Sequence, residues 1–338
     1  MESVDELEHL LSRPTDAAVS ALGQLTGDIL VLGVAGKMGP TLARMAVRAS
    51  EAAGVKRRVI GVARFSDPAV RDRLETAGVE TIACDLLDPA QLTALPDVPN
   101  VVYMPAMKFG STGQEARTWA TNAFLAADCA RRFRGSTIVA FSTGNVYGLT
   151  PVAGGGSREA DAANPAGEYA MSCLGRERLV EHVSRSHGTR CALIRLNYAS
   201  ELRYGVLVDL ARKVWAGEPI DLAMGNFNAI WQADANAAAL AAFDHAASPP
   251  FVVNVAGPET LSVRAVGERF AALMGKPVAF TGREAGDALL SNAQLAHRLF
   301  GYPQVTADRM MEWVARWVVA GGTDLGKPTH FEARDGKF

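Results

Sequence analysis

The chain has no long apolar run. Nowhere do its 338 residues approach the roughly 20 consecutive apolar positions that cross a bilayer, so no membrane partner is expected. Cysteine is sparse: Cys84, Cys129, Cys173 and Cys191 stand far apart with no Cys-x-x-Cys pair. That argues against a disulfide framework or a zinc knuckle and for reduced intracellular thiols. Charge of one sign is never concentrated, since 34 Lys and Arg are interleaved with 36 Asp and Glu for a net charge of −2. Without a basic stripe, nucleic acid is not an expected partner. The six histidines are scattered, and His182 and His187, five apart, are poorly spaced for one helix face, so no metal site is expected. The opening Met1-Glu2-Ser3-Val4-Asp5-Glu6 is acidic where a secretory signal would be basic, so a cytoplasmic location is expected.

What remains is a regular α/β rhythm. Residues 3–25 read as one or two short amphipathic helices, broken at Pro14. Short apolar runs follow at 28–33, 58–63, 81–84, 101–104, 136–141 and 191–195. They are separated by helical patterns near 39–53, 68–77, 114–134 and 168–187. Strands spaced by such helices predict parallel βαβ units and a Rossmann-type doubly wound sheet. Beyond residue 196 the rhythm loosens into helices near 204–216, 234–246, 262–274 and 307–319 with short strands between. The expected division is an N-terminal helical extension over 1–27, a dinucleotide-binding domain over 28–196 and a mixed, mainly substrate-binding lobe over 197–338.

Gly33-Val34-Ala35-Gly36-Lys37-Met38-Gly39 sits where the first strand turns into the first helix. Its G-x-x-G-x-x-G spacing supplies a tight turn, a bare backbone for a pyrophosphate and a helix N-terminus aimed at it. At the end of the second strand the chain has Ala63-Arg64-Phe65-Ser66 instead of an acid. Arg64 there can pair with a 2′-phosphate, with Ser66 assisting and Lys37 adding charge, or it can stack on adenine. The first option favours NADP over NAD. Asp85 and Leu86, after the third strand, are placed to contact adenine.

Further along come Tyr103-Met104-Pro105-Ala106, Asn122, Ser142-Thr143-Gly144-Asn145-Val146-Tyr147-Gly148 and Tyr169. With Asp234 and Asn254-Val255-Ala256-Gly257, these segments resemble the extended short-chain dehydrogenase/reductases, specifically the NAD-dependent epimerase/dehydratase family. The resemblance runs from about Asp28 to Trp317. It implies that Pro105 and Ala106 line the cofactor, that Thr143 holds the substrate oxygen and that Tyr169 is the general acid/base. It also implies that Asn122 belongs to the active-site helix and that Lys108 lies beside the cofactor. The resemblance also implies a homodimer as one option, since relatives often dimerise through the two helices corresponding to 114–134 and 168–187, while the residues themselves leave the oligomeric state open.

One position departs from the family. In Tyr169-Ala170-Met171-Ser172-Cys173 a cysteine replaces the lysine of Tyr-x-x-x-Lys. That lysine lowers the phenol's pKa, ordinarily near 10, and binds the nicotinamide ribose. Three readings stay open: Lys108 supplies the charge, Tyr169 remains a protonated donor, or the protein is a catalytically weak NADP(H)-binding redox sensor. The segment Met224-Gly225-Asn226-Phe227-Asn228-Ala229-Ile230-Trp231-Gln232 holds no Lys or Arg to grip a nucleotide diphosphate. A smaller sugar or sugar acid is therefore the expected substrate, lined by Asn197, Arg203, Tyr204 and Trp231, with Arg203 as the carboxylate partner. The expected activity is that of an NAD(P)-dependent oxidoreductase or epimerase.

Overall fold

The computed structural model describes residues 3–108, 110, 113–327 and 329–336. Seven parallel strands make one sheet: β1 Ile29–Leu32, β2 Val59–Ala63, β3 Glu80–Ala83, β4 Asn100–Tyr103, β5 Thr137–Thr143, β6 Cys191–Leu196 and β7 Phe251–Val255. Their order is β7-β6-β5-β4-β1-β2-β3, so the chain starts mid-sheet and winds outward in both directions. The crossover between β3 and β4 opens a crevice above the carboxyl ends of β1 and β4, where such sheets bind ligands.

Both faces of the sheet are covered, which is why its inner strands are apolar runs and not alternations. Ile29 and Val31 point into one core and Leu30 and Leu32 into the other. The N-terminal helices belong to the first core. Val4–Leu11 is capped by Ser3 and Asp16–Gln24 by Thr15, and Leu7, Leu11 and Leu22 are fully buried.

One expectation needs correcting and a second is refined. The sheet takes its seventh strand, Phe251–Val255, from beyond residue 196, because that segment pairs in register with Ala192–Leu196. The boundary at 196 therefore cuts through the sheet, and the remaining lobe is built from helices such as Val206–Ala216, Val263–Met274 and Ala307–Val319 with two-residue strands. The helix expected over 114–134 is Glu115–Trp119 and Leu125–Arg132 joined by a π-turn at Ala120–Phe124. No helix among the described residues is long and apolar enough to cross a membrane.

Candidate active site

The glycine turn is built as its spacing requires. Gly33 adopts φ 78, and a Cβ on it would stand 3.0 Å from the backbone nitrogen of Pro105. A Cβ on Gly39 would collide with the carbonyl of Val34, so the helix Gly39–Ala52 can start there only without a side chain. No side chain caps that helix, whose first turn carries the unpaired amides that attract an anion. In front lies a groove of ≈ 450 Å³ bordered by Gly33, Gly36, Arg64, Ser66, Asp85, Leu86, Pro105 and Ala106. Phe65 holds φ 50, a left-handed backbone uncommon for an aromatic residue, and this kink sits between Arg64 and Ser66 at the groove rim. A bare backbone, a helix N-terminus and the Arg64 and Arg117 cations together fit a dinucleotide.

Beside the groove is a second cavity of ≈ 170 Å³, lined among others by Lys37, Lys108, Thr143, Tyr169, Asn197 and Tyr204. Thr143 ends β5, where its hydroxyl accepts the amide of Asn145 at 3.2 Å and the Asn145 side chain at 2.9 Å. Tyr169 lies on the first turn of the helix Gly167–His187 and is 8% exposed. Burial pushes its phenol well above the ordinary value and Cys173 adds to the rise, while Arg176 and a hydrogen bond from Thr143 pull it back. Cys173, one turn along and fully buried, takes a hydrogen bond from the phenol, and burial pushes the thiol up as well. Both groups hold their protons at neutral pH.

Asn122 stands on the π-turn, wholly buried and outside the cavity wall. Its carboxamide accepts the Met107 amide at 2.7 Å and donates to the Met107 carbonyl at 3.0 Å, which fixes the loop carrying Lys108. A second bond, 3.0 Å to the Ser172 hydroxyl, ties that loop to the tyrosine helix. Lys108 projects into the cavity, its ammonium 6.0 Å from the Tyr169 ring centroid and donating to the Thr329 carbonyl at 3.3 Å. Burial pushes it down to about 8.

Arg176 escaped the sequence reading. It is 2% exposed, donates to the carbonyls of Asn122 at 2.9 Å and Phe141 at 2.7 Å, and lies over the Tyr103 ring. Its signal was spacing: positions 169, 173 and 176 fall on one helical stripe, so a charge there points inward. Arg117, Phe65 and Thr329 also border the two cavities without having been singled out for these places.

Three expected placements are not those of the structure. Lys37 does not join Arg64 in the nucleotide groove; its ammonium turns into the second cavity, 3.1 Å from the Ala199 carbonyl and 3.5 Å above the Tyr204 ring. Arg203 is absent from the cavity wall because its guanidinium is taken by Glu201 at 3.1 Å and by Glu8 at 2.6 Å, which clamps the first helix to the fold. Trp231 is 1% exposed and packs edge-on against Trp313, so it is core. Among the described residues no group of three or more His, Cys, Asp or Glu side chains gathers as a metal site.

Comparison with curated proteins finds no match. Similar solved structures include the UDP-glucose 4-epimerase of Thermotoga maritima with UDP-glucose, 18% identical with TM-score 0.69, covering 86% of this chain and 98% of that one. Another is the UDP-glucuronic acid 4-epimerase of Bacillus cereus in complex with NAD, 17% identical with TM-score 0.71 over 88% and 99% of the two chains. A short-chain dehydrogenase/reductase superfamily protein of Agrobacterium tumefaciens with bound NAD is 20% identical with TM-score 0.69 over 86% and 96%. At such identities these likenesses establish the fold. The profile described as NAD dependent epimerase/dehydratase family matches residues 29–256, from the first strand of the sheet to just past the last. With more than half its length so matched, the chain belongs to the NAD-dependent epimerase/dehydratase family.

Proposed function

We propose that the protein is an NAD(P)-dependent oxidoreductase or epimerase acting on a hydroxyl or keto group of a sugar or sugar-acid-like small molecule. The observation that carries this reading is the hydrogen-bonded Thr143–Tyr169 pair in a cavity that adjoins the glycine-turn groove. Gly33, Gly36, Met38 and Gly39 would seat a pyrophosphate, Asp85 and Leu86 the adenine, and Arg64 with Ser66 a 2′-phosphate, which favours NADP. A nicotinamide bound there supplies the hydride acceptor or donor. Thr143 orients the reacting oxygen, and Tyr169 gives it a proton or takes one away. Since burial and Cys173 keep Tyr169 protonated, donation to a carbonyl during reduction is the easier direction. Thr143, Tyr169 and Lys108 carry the catalytic roles, and Asn122 positions the Lys108 loop.

The similar structures named for UDP-sugar epimerases do not bring that substrate here. The 224–232 segment has no cation, and the C-terminal residues Phe331 and Arg334 pack over that lobe, Phe331 against Phe227 and Arg334 against Asp287. A free sugar or sugar acid suits the site better. A second copy of the chain is the proposed partner, docking on the apolar face of the helices Glu115–Arg132 and Gly167–His187.

One feature favours a second reading, a redox sensor: Cys173 occupies the place of the family's lysine. Tyr169→Phe separates the two. For an enzyme, turnover falls by ~10²–10⁴ while calorimetric nucleotide binding persists. Unchanged turnover in Tyr169→Phe would sink the catalytic reading.

A further inference from the structure

Residues 329–336 return to the site from the far side of the mixed lobe. Thr329 is buried, and its amide and hydroxyl donate to the Asp209 carboxylate at 2.8 and 2.5 Å. Its carbonyl accepts the Lys108 ammonium at 3.3 Å, and the residue lines the cavity beside Tyr169. Phe331 is buried against Phe227, and the Glu332 carboxylate pairs with Lys213 at 2.5 Å. Arg334 donates to the carbonyls of Ala223 at 3.1 Å and Asp287 at 3.2 Å. Gly336 then meets the start of the helix that carries Tyr169. A Cβ on Gly336 would stand 2.1 Å from the Ala166 carbonyl oxygen, and one on Gly167 would stand 2.3 Å from the carbonyl oxygen of Gly336. Only two bare backbones approach so closely.

The segment is thus fastened at one end to the helix Val206–Ala216 and at the other to the tyrosine helix, with a buried aromatic ring between. Displacing it would expose that ring and leave the Asp209 carboxylate without its donors, so it holds its place. Two voids lie against it. One is the ≈ 170 Å³ cavity beside Tyr169, with Thr329 in its lining. The other, of ≈ 30 Å³, is bordered by Ala333, Arg334 and Gly336 together with Met224 and Leu289. Asn145 and Tyr198 border both, so the voids adjoin. A cavity of ~150 Å³ takes one benzene-sized ring, whereas sites for drug-sized ligands run to ~300–1,000 Å³. At ≈ 170 Å³ the cavity suits one sugar ring or a short polyol, and a group extending from it toward Met224 and Leu289 meets residues 329–336.

We infer that residues 329–336 are the specificity-determining wall of the cavity. They admit a sugar or polyol of single-ring size and exclude the same molecule carrying a bulky group. The inference rests on the proposed function and narrows its substrate class by size.

The test uses the full chain loaded with nicotinamide nucleotide. Isothermal calorimetry compares free hexoses, pentoses and uronic acids with their benzyl derivatives at C1 and at the terminal carbon. At least one free sugar should bind, and its benzyl derivatives should bind at least ~10-fold more weakly, because they meet a built-in clash. Two variants open the wall. One ends at Lys327; the other, Gly336→Leu, keeps Thr329 and Phe331 in place and pushes the far end of the segment off Ala166. In each, the affinity of at least one benzyl derivative relative to its free sugar should rise ~10-fold or more, with nucleotide affinity unchanged. If the melting curve shows that the shortened chain does not fold, Gly336→Leu decides alone. A parent that binds benzyl derivatives as tightly as free sugars, a parent that binds no free sugar, or a Gly336→Leu protein that keeps the parent's discrimination each overturn the inference. Failure of the parent to bind nicotinamide nucleotide is a different result, which removes the proposed function itself.

Discussion

The Tyr169 phenol is pulled in two directions by residues on its own helix. Burial and the Cys173 sulfur hold its proton on, while Arg176 and the Thr143 hydroxyl favour its release. Burial prevails and puts the folded value above the ordinary one near 10. Between pH 6 and 9 the phenol is therefore an acid and not a base, so oxidation of an alcohol should quicken steadily as pH rises toward the alkaline limit. Cys173→Lys adds a cation one helical turn from the phenol and stabilises phenolate. The alkaline rise in the oxidation rate should then move at least about one unit toward neutrality. A superimposable pH–rate profile would show that position 173 does not tune the tyrosine. The glycines, Thr143, Tyr169 and Cys173 were legible as chemistry because each is a residue type whose placement is fixed by the backbone or by a helical stripe. Lys37 and Arg203 were not. A flexible side chain of that length reaches several sites from one Cα, and which it chooses depends on the charges folded around it.

At the scale of elements, the bracing of the site depends on one buried cation. Arg176 satisfies the carbonyls of Asn122 and Phe141, joining the π-turn Ala120–Phe124, strand β5 and the tyrosine helix. The Asn122 carbonyl accepts the guanidinium's hydrogen bond from within the π-turn, a local irregularity of the helix. Arg176→Met leaves two buried acceptors without donors, a loss of about 2–6 kcal/mol at 1–3 kcal/mol each, visible as a lower urea midpoint. Arg176→Lys should recover only part of it, because one ammonium lacks the planar fork that spans both carbonyls. A parent-like midpoint in Arg176→Met would remove the bracing role. Helices and strands up to residue 196 could be read to within a few positions from apolar periodicity. The π-turn could not, since an extra residue in one turn leaves the pattern of apolar positions almost unchanged.

At the scale of the whole molecule, the described residues include an apolar face left exposed on two adjoining helices. Trp119, Phe124, Met171 and Leu179 are 39%, 61%, 38% and 37% exposed on adjoining helices. Trp119 lies over Gly175, where a Cβ would come within 3.1 Å of its ring, so the two helices present one continuous surface. The proposed pairing with a second copy would bury it. Sedimentation should find a dimer, and Phe124→Glu should shift it to monomer with the melting curve of the remaining fold little altered; a monomeric parent ends the proposal. The sequence by itself determined the alternation of strands and helices, the glycine turn and the tyrosine stripe, because these follow from local period and local sterics. Only the tertiary structure decided that Phe251–Val255 completes the sheet and that Arg203 secures the first helix. It alone, too, turned Lys37 into the cavity beside Tyr169. Each of these depends on what distant segments bring alongside, and no local pattern encodes that.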